Sequence, residues 1–301
     1  MHLVVAFAVP ASEAGRRAAL TEPRLAAWLG RLAETGRDAG DTWALSPPHE
    51  RALARAWGWA GGDGALPFAA QALRGDGTEP GDLAWGLVTP AHWHVGTEQV
   101  SLIDPAALVL DEATSRALFE AVTPLFTDEG FAFAWGAPGR WYAAHETLAE
   151  LPTASLDRVI GRNVDAWLGA DSAARRVRRL QAEVQMLLHD HPVNRQREAL
   201  GLLPVNSFWL SGCGVAQAVA GEADRVRLET RLRAPALAED WAAWIKAWDA
   251  VEADLADVSR ITLCGERGSA SFGPAERAFA GPGFWRRRRG AALWTQLVEA
   301  L

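Results

Sequence analysis

Two pairs of histidines stand one residue apart, and a third polar cluster lies close to the second pair. His92 and His94 fall in an apolar stretch that reads as a strand, so both imidazoles would share one face at a spacing able to hold a metal. No third ligand at local spacing completes such a site, and ordinary strand histidines account for the pair as well. His189 and His191 flank the end of a helical pattern, where a charged imidazole suits the helix C-terminus. The richest run is 189–214, HDHPVNRQREALGLLPVNSFWLSGCG. It gathers His191, Asn194, Arg195, Arg197 and Asn206 between a helix end and a strand. Arg197 has the fork geometry for a carboxylate or phosphate, and Gly212 and Gly214 would let a backbone approach an anion. The competing reading is structural, with Asn194 and Asn206 tying a loop down. A second run, 158–169, offers Arg158, Arg162, Asn163 and Asp165, either as a pocket wall or as an ion-paired loop. Arg286 to Arg289 read as a solvated charge run. No Gly-x-Ser-x-Gly elbow, phosphate-binding loop, His-Glu-x-x-His or dinucleotide fingerprint is present.

The elements that would position these groups follow from periodicity. Leu3 to Pro10 is apolar throughout and reads as a buried first strand. A helix is expected from Pro23 to about Glu34, with Leu25, Leu29 and Leu32 on one face and Gly36 as its stop. Another starts at Ser46 as N-cap, with Pro47 in the first turn, and ends near Gly58. Residues 61–64 are a loop, and 83–88, 93–95 and 100–103 are strands. Asp111 caps a helix that turns Ala113, Leu118, Val122 and Leu125 inward. Residues 131–135 and 140–144 form a strand pair. Ser172 opens a long helix to His189, broken by His191-Pro192. A strand at 206–210, a Trp-lined helix at 236–255, a strand at 260–264 and a final helix complete the chain. Strands spread among helices predict an α/β fold with a mostly parallel main sheet. The β-β-α-β-β order of 91–145 predicts a small α+β subdomain inserted into a core of 1–90 and 146–301.

The 301 residues, 49% of them apolar, suffice for one large domain or two unequal ones. Thirty basic against 37 acidic side chains give a net charge of −7, which argues against nucleic acid as a partner. The longest apolar run, Leu3 to Pro10, is far short of the ~20 residues a membrane span needs and has no basic flank to make it a leader. Cys213 and Cys264 are isolated thiols, which suits a reducing, cytoplasmic location. Lys246 is the single lysine, a skew that fits G+C-rich coding. Most of the 15 Trp are expected in the core, with Trp241, Trp244 and Trp248 forming the inner stripe of one helix.

From His191 to Gly214 the sequence resembles the archaeal-type cofactor-independent phosphoglycerate mutases. These have a similar His-Pro-Val-Asn followed by Arg, Gly, Pro, Asn and a strand ending Gly-x-Gly. Weaker likeness extends through 20–36, 66–90 and 259–272, and the whole also resembles a bacterial group of RpfE-type regulatory proteins. The resemblance implies an alkaline-phosphatase-like sandwich. It also implies two divalent metals held by Asp and His, and a Ser or Thr that carries the phosphoryl group.

This chain departs from that pattern where the chemistry would sit. The first strand ends Ala8-Val9-Pro10 in place of Asp-Gly, His49-Glu50 stand at the nucleophile turn, and Gly265-Glu266-Arg267 replace Gly-Asp-His. Ser46 lies three residues from the expected nucleophile. The resemblance with these departures implies a catalytically degenerate homologue that acts as a ligand-binding or regulatory protein. No catalytic residue, metal or cofactor is expected. His191, Asn194, Arg197 and Asn206 are the expected ligand-binding residues, for a small phosphorylated acid or in service of a protein partner. The alternatives are an active metal-dependent mutase or phosphotransfer enzyme, and a scaffold that binds protein through exposed Trp.

Overall fold

The computed structural model describes residues 1–21, 25–220, 225–274 and 283–301. The chain opens with β1 (His2–Val5), α1 (Glu13–Thr21), α2 (Ala26–Leu29), β2 (Leu32–Asp38) and α3 (Pro48–Ala56). Its middle comprises α4 (Phe68–Gly75), β3 (Ala84–Ala91), β4 (Trp93–Val95), β5 (Val100–Leu102), α5 (Glu112–Asp128), β6 (Ala132–Ala137), β7 (Arg140–Ala144), α6 (Leu156–Val159), α7 (Ser172–His189), α8 (Pro192–Ala199) and β8 (Ser207–Val215). It closes with β9 (Val226–Glu229), α9 (Arg233–Leu237), α10 (Trp241–Ala253), β10 (Arg260–Cys264), β11 (Ser269–Pro274) and α11 (Gly283–Ala300). The fold is mixed α/β and divides into two compact units, one of residues 1–59 with 219–301 and one of 60–218.

The first unit is built on a five-stranded sheet in the order β2-β11-β10-β1-β9. β1 pairs in parallel with β9 and with β10, while β10–β11 and β11–β2 are antiparallel. The sheet is therefore mixed, not mostly parallel as expected. The cause is local. Gly265 N donates to Gly268 O at 2.9 Å, closing a tight turn after β10, and a strand that returns through a tight turn can pair only antiparallel. One face of the sheet carries Leu3, Val5, Ile261, Leu263, Ala270 and Phe272 into the core with Trp244, Trp248 and Trp294. Trp244–Trp248 and Trp248–Trp294 meet edge to face at 6.0 and 5.6 Å. Each such pair contributes about 0.5–1.5 kcal/mol beyond burial. The opposite face is covered in part by α3.

The helix expected from Pro23 is shorter. Residues 22–24 lie outside the described residues, α2 ends at Leu29, and Leu32 opens β2, in which Gly36 lies opposite Ser271. Pairing with β11 overrides the leucine periodicity. α3 starts one residue later than expected, because Pro47 is extended and acts as the N-cap.

The second unit holds a four-stranded antiparallel sheet, β6-β7-β3-β8, and the two-stranded β4-β5. Leu118, Val122 and Phe126 of α5 and Leu180, Val184 and Leu188 of α7 share a core with Phe208 and Leu210. Ala69 and Leu73 of α4 pack with Trp85 and Tyr142. The elements expected in 91–145 are present, but β7 pairs with β3 and β3 with β8. The segment thus shares its sheet with strands on both flanks and belongs to the larger unit. Asp111 caps α5 through Thr114 N at 2.8 Å, while Ala113 is exposed rather than inward. The expected break at His191-Pro192 is also a start, with His191 the N-cap and Pro192 the first residue of α8.

Candidate functional site

The segment 189–206 places its polar side chains against backbone. Asn194, 2% exposed, donates from Nδ2 to Leu188 O (2.9 Å) and Val205 O (2.7 Å) and accepts Val205 N at Oδ1 (3.0 Å). Arg197, 4% exposed, donates from Nε to Leu203 O at 2.9 Å and from its terminal nitrogen to Leu108 O. Burial pulls this guanidinium below its usual pKa range, and the Asp111 carboxylate works against that shift. Asn206 accepts Trp93 N (2.7 Å) and donates to Trp93 O (2.9 Å). His191 accepts Val193 N at 3.3 Å as the cap of α8. Gly212 and Gly214 have φ of 64° and 146°, and a Cβ on them would meet Ala69 N at 3.0 Å and the Pro67 side chain at 3.1 Å. They therefore admit the start of α4, which takes the approach that the sequence offered to an anion.

Asn206 also lines a cavity of about 300 Å³ with Trp93, Val164, Asp165, Gln185 and His189. His189 is exposed at the end of α7. His92 contacts Pro204 O at 2.8 Å through Nδ1, and its ring centre lies 6.5 Å from that of His94. In the second run, Arg158 and Arg162 stand 5.8 and 5.7 Å from the Trp167 ring centre, and Asn163 accepts Asp165 N.

A separate region is formed by the C-terminal ends of β1, β9 and β10. The chain leaving β1 is pinned there, Ala6 N to Glu229 O (3.0 Å) and Ala8 N to Cys264 O (2.8 Å). Phe7 adopts φ 55°, its carbonyl accepts Trp244 Nε1 at 3.1 Å, and its ring lies 5.8 Å from that of buried His49. Glu229 is 5% exposed and gripped by both Arg231 nitrogens at 2.9 and 2.6 Å. Its burial favours the neutral acid, but the hydrogen bonds and charge of Arg231, with Arg227, hold its pKa below the ordinary range. Arg51 binds Asp38 at 2.7 Å and donates to the carbonyls of Ser46 (2.5 Å) and Arg267 (2.8 Å). Burial pushes the Cys264 thiol well above its usual pKa. Among the described residues no three His, Cys, Asp or Glu side chains are grouped to hold a metal ion. These donors do not fit a pair of divalent cations, since Glu229 and Asp38 are both closed by guanidinium and Arg267 has no lone pair to give.

Two polar arrangements had no signal in the spacing. Arg140 forks onto Asp76 at 3.0 and 2.7 Å, and Tyr142 donates to the same carboxylate at 2.6 Å. His2 Nε2, Thr262 Oγ1 and Ser271 Oγ form a chain with 2.8 Å at each step. Each joins residues from different strands or helices, so only the register reveals it.

No family model matches the sequence, and no curated protein matches it. Among solved structures the chain is similar to a cofactor-independent phosphoglycerate mutase from Thermoplasma acidophilum, at 17% identity over 99% of each chain with a TM-score of 0.38. It is also similar to the PH0037 protein from Pyrococcus horikoshii, at 12% identity over 100% of this chain and 97% of that one, with a TM-score of 0.42. Both scores are too low for either likeness to bear on function.

Proposed function

We propose that this chain binds a small phosphorylated acid and does not convert it, as a degenerate, regulatory relative of the phosphoglycerate mutases on an alkaline-phosphatase-type architecture. The observation that carries the reading is the content of the strand ends in the first unit. Residues 6–12 after β1 supply no carboxylate, β10 ends in a buried thiol and Gly265, and Glu229 is locked by Arg231. Phosphoryl transfer through a covalent intermediate needs an acceptor hydroxyl and cations to stabilise the charge that develops on the phosphoryl oxygens. Among the described residues no His, Cys, Asp and Glu set is grouped to hold such cations, and the Ser46 hydroxyl nearby is buried.

The test is an assay of 3-phosphoglycerate with Mn²⁺, Mg²⁺ or Co²⁺, paired with a thermal-shift titration of the same compound. The expected result is no 2-phosphoglycerate above background, together with a melting temperature that rises with ligand, because a ligand bound only to the native state stabilises it. Turnover that disappears in Ser46→Ala would overturn the reading.

A further inference from the structure

The sheet of the first unit has one face in the apolar core and one face that changes character along its length. On that second face His2 lies beside Arg260, and Thr262 is flanked by Val4 and Ser271, with Gly36 beyond. Toward the C-terminal ends of the parallel strands, beneath α3, the same face carries Val4 and Cys264, both fully buried. Level with Val4, at the edge of α3, stand Thr262, which is itself buried, and Ser271, and one row further toward the strand starts come His2 and Arg260. A sheet face shielded by a helix is mainly apolar, and the charged groups of this one lie at the strand starts.

A cavity of about 620 Å³ occupies that uncovered half, over the first residues of β1, β9 and β10. Arg55, Arg225 and Arg260 line it, and no described lining residue is acidic, in a chain whose net charge is −7. Arg55 is held in place by Asp38 at 2.9 Å, and Arg260 makes no ion pair among the described residues. A Cβ on Gly36 would meet nothing within 4 Å, so the absence of a side chain there leaves the floor open. With the Nε2–H tautomer His2 donates to Thr262 and Thr262 to Ser271, which leaves the Ser271 hydroxyl proton for an incoming oxygen.

We propose that this cavity is an oxyanion site that takes the phosphate of a small phosphorylated ligand, with Arg260 and Arg225 supplying charge and Ser271 a hydrogen bond. The proposal rests on the reading that the chain binds a small phosphorylated acid, and it gives that ligand a place. Guanidinium groups suit a phosphate because their donors match its oxygens in pairs.

Two substitutions in the full chain test it. Arg260→Ala removes an exposed cation that has no ion pair among the described residues. Gly36→Val fills the floor without removing any charge. Inorganic phosphate and 3-phosphoglycerate are titrated separately by calorimetry, with Arg287→Ala as a control and melting temperatures without ligand as the check on folding. Both variants should melt like the parent and bind phosphate more weakly by roughly tenfold or more, Arg260→Ala through the loss of one charged hydrogen bond and Gly36→Val through the space its side chain takes. Phosphate binding unchanged in both variants, or no phosphate binding by the parent, overturns the site. Should 3-phosphoglycerate still bind in that case, the functional reading stands without it. Weakened phosphate binding in the variants together with turnover of 3-phosphoglycerate by the parent supports the site and overturns the non-catalytic reading.

Discussion

Asn194 takes both backbone hydrogen-bonding groups of Val205, donating to its carbonyl at 2.7 Å and accepting its N–H at 3.0 Å. A side chain here does what a neighbouring strand would do, one residue before Asn206 repeats the device on Trp93. Asn194→Ala leaves both backbone groups of Val205 buried without their partner, while the Leu188 carbonyl keeps the His191 N–H. The expected loss is about 2–4 kcal/mol of stability, from the cost of unmade buried hydrogen bonds. Urea unfolding of the variant against the parent measures it, and a loss within experimental error would show that water replaces the amide.

Arg197→Ala should destabilise the protein far more than Arg287→Ala. Arg197 is buried and donates to the Leu203 and Leu108 carbonyls, whereas Arg287 is exposed on α11. An orphaned buried carbonyl such as that of Leu108 costs about 1–3 kcal/mol, and surface changes fall within roughly 0.5 kcal/mol. Matching melting temperatures for the two variants would contradict the packing described for α8.

Stability should fall as the pH drops from about 6.5 to about 4. Burial and the nearby Arg260 guanidinium lower the His2 imidazole from 6.5 to about 4. Between these values the unfolded chain takes up a proton that the native protein refuses, so stability is full above the higher value and is lost below it. His2→Gln has no such group and should show a flatter profile. Urea midpoints at about pH 7 and about pH 5 in phosphate-free buffer decide the matter, and equal losses in parent and variant would exclude His2 as the source.

Neither thiol should react in the native state. Cys213 is 1% exposed and pushed up to about 12 by burial, and Cys264 is fully buried and shifted in the same direction. Alkylation needs an accessible thiolate. Iodoacetamide at about pH 8 is expected to leave the native mass unchanged and to add two groups after unfolding. Rapid labelling of the native protein would mean that the strand carrying that thiol opens readily.

What could be read from the sequence depended on where the deciding contacts lie. Arg260–Cys264 and Trp93–Val95 are strands with the expected bounds, and Ser172–His189 is the expected helix, because each carries its own apolar pattern. β2 was hidden because Leu32-Ala33-Glu34-Thr35-Gly36-Arg37-Asp38 is polar and becomes a strand through its pairing with β11. β11 was hidden behind the turn at Gly265–Gly268. The short α8 follows a His-Pro step that reads first as a stop. For the candidate site, the loop-tying reading of Asn194 and Asn206 was open from their residue types. Glu229 with Arg231 was not, because their importance comes from lying at the end of a strand beside β1. The His2–Thr262–Ser271 chain needs the register of three strands drawn from opposite ends of the sequence.

The first unit is discontinuous in sequence, and this governs the order of folding. β1 is synthesised well before its two sheet partners, β9 and β10, which come from the last third of these 301 residues. The residues of the second unit are contiguous, and all of its strand pairings, β3 with β8 included, fall within 60–218, so it can form while β1 waits unpaired. Contacts between such distant segments carry a loop-closure cost and slow folding. During that wait the apolar run Leu3 to Val9 is an exposed strand without a neighbour, the kind of segment that aggregates or engages a chaperone. Refolding should therefore proceed in two kinetic phases, the slower one reporting the capture of β1 between β9 and β10.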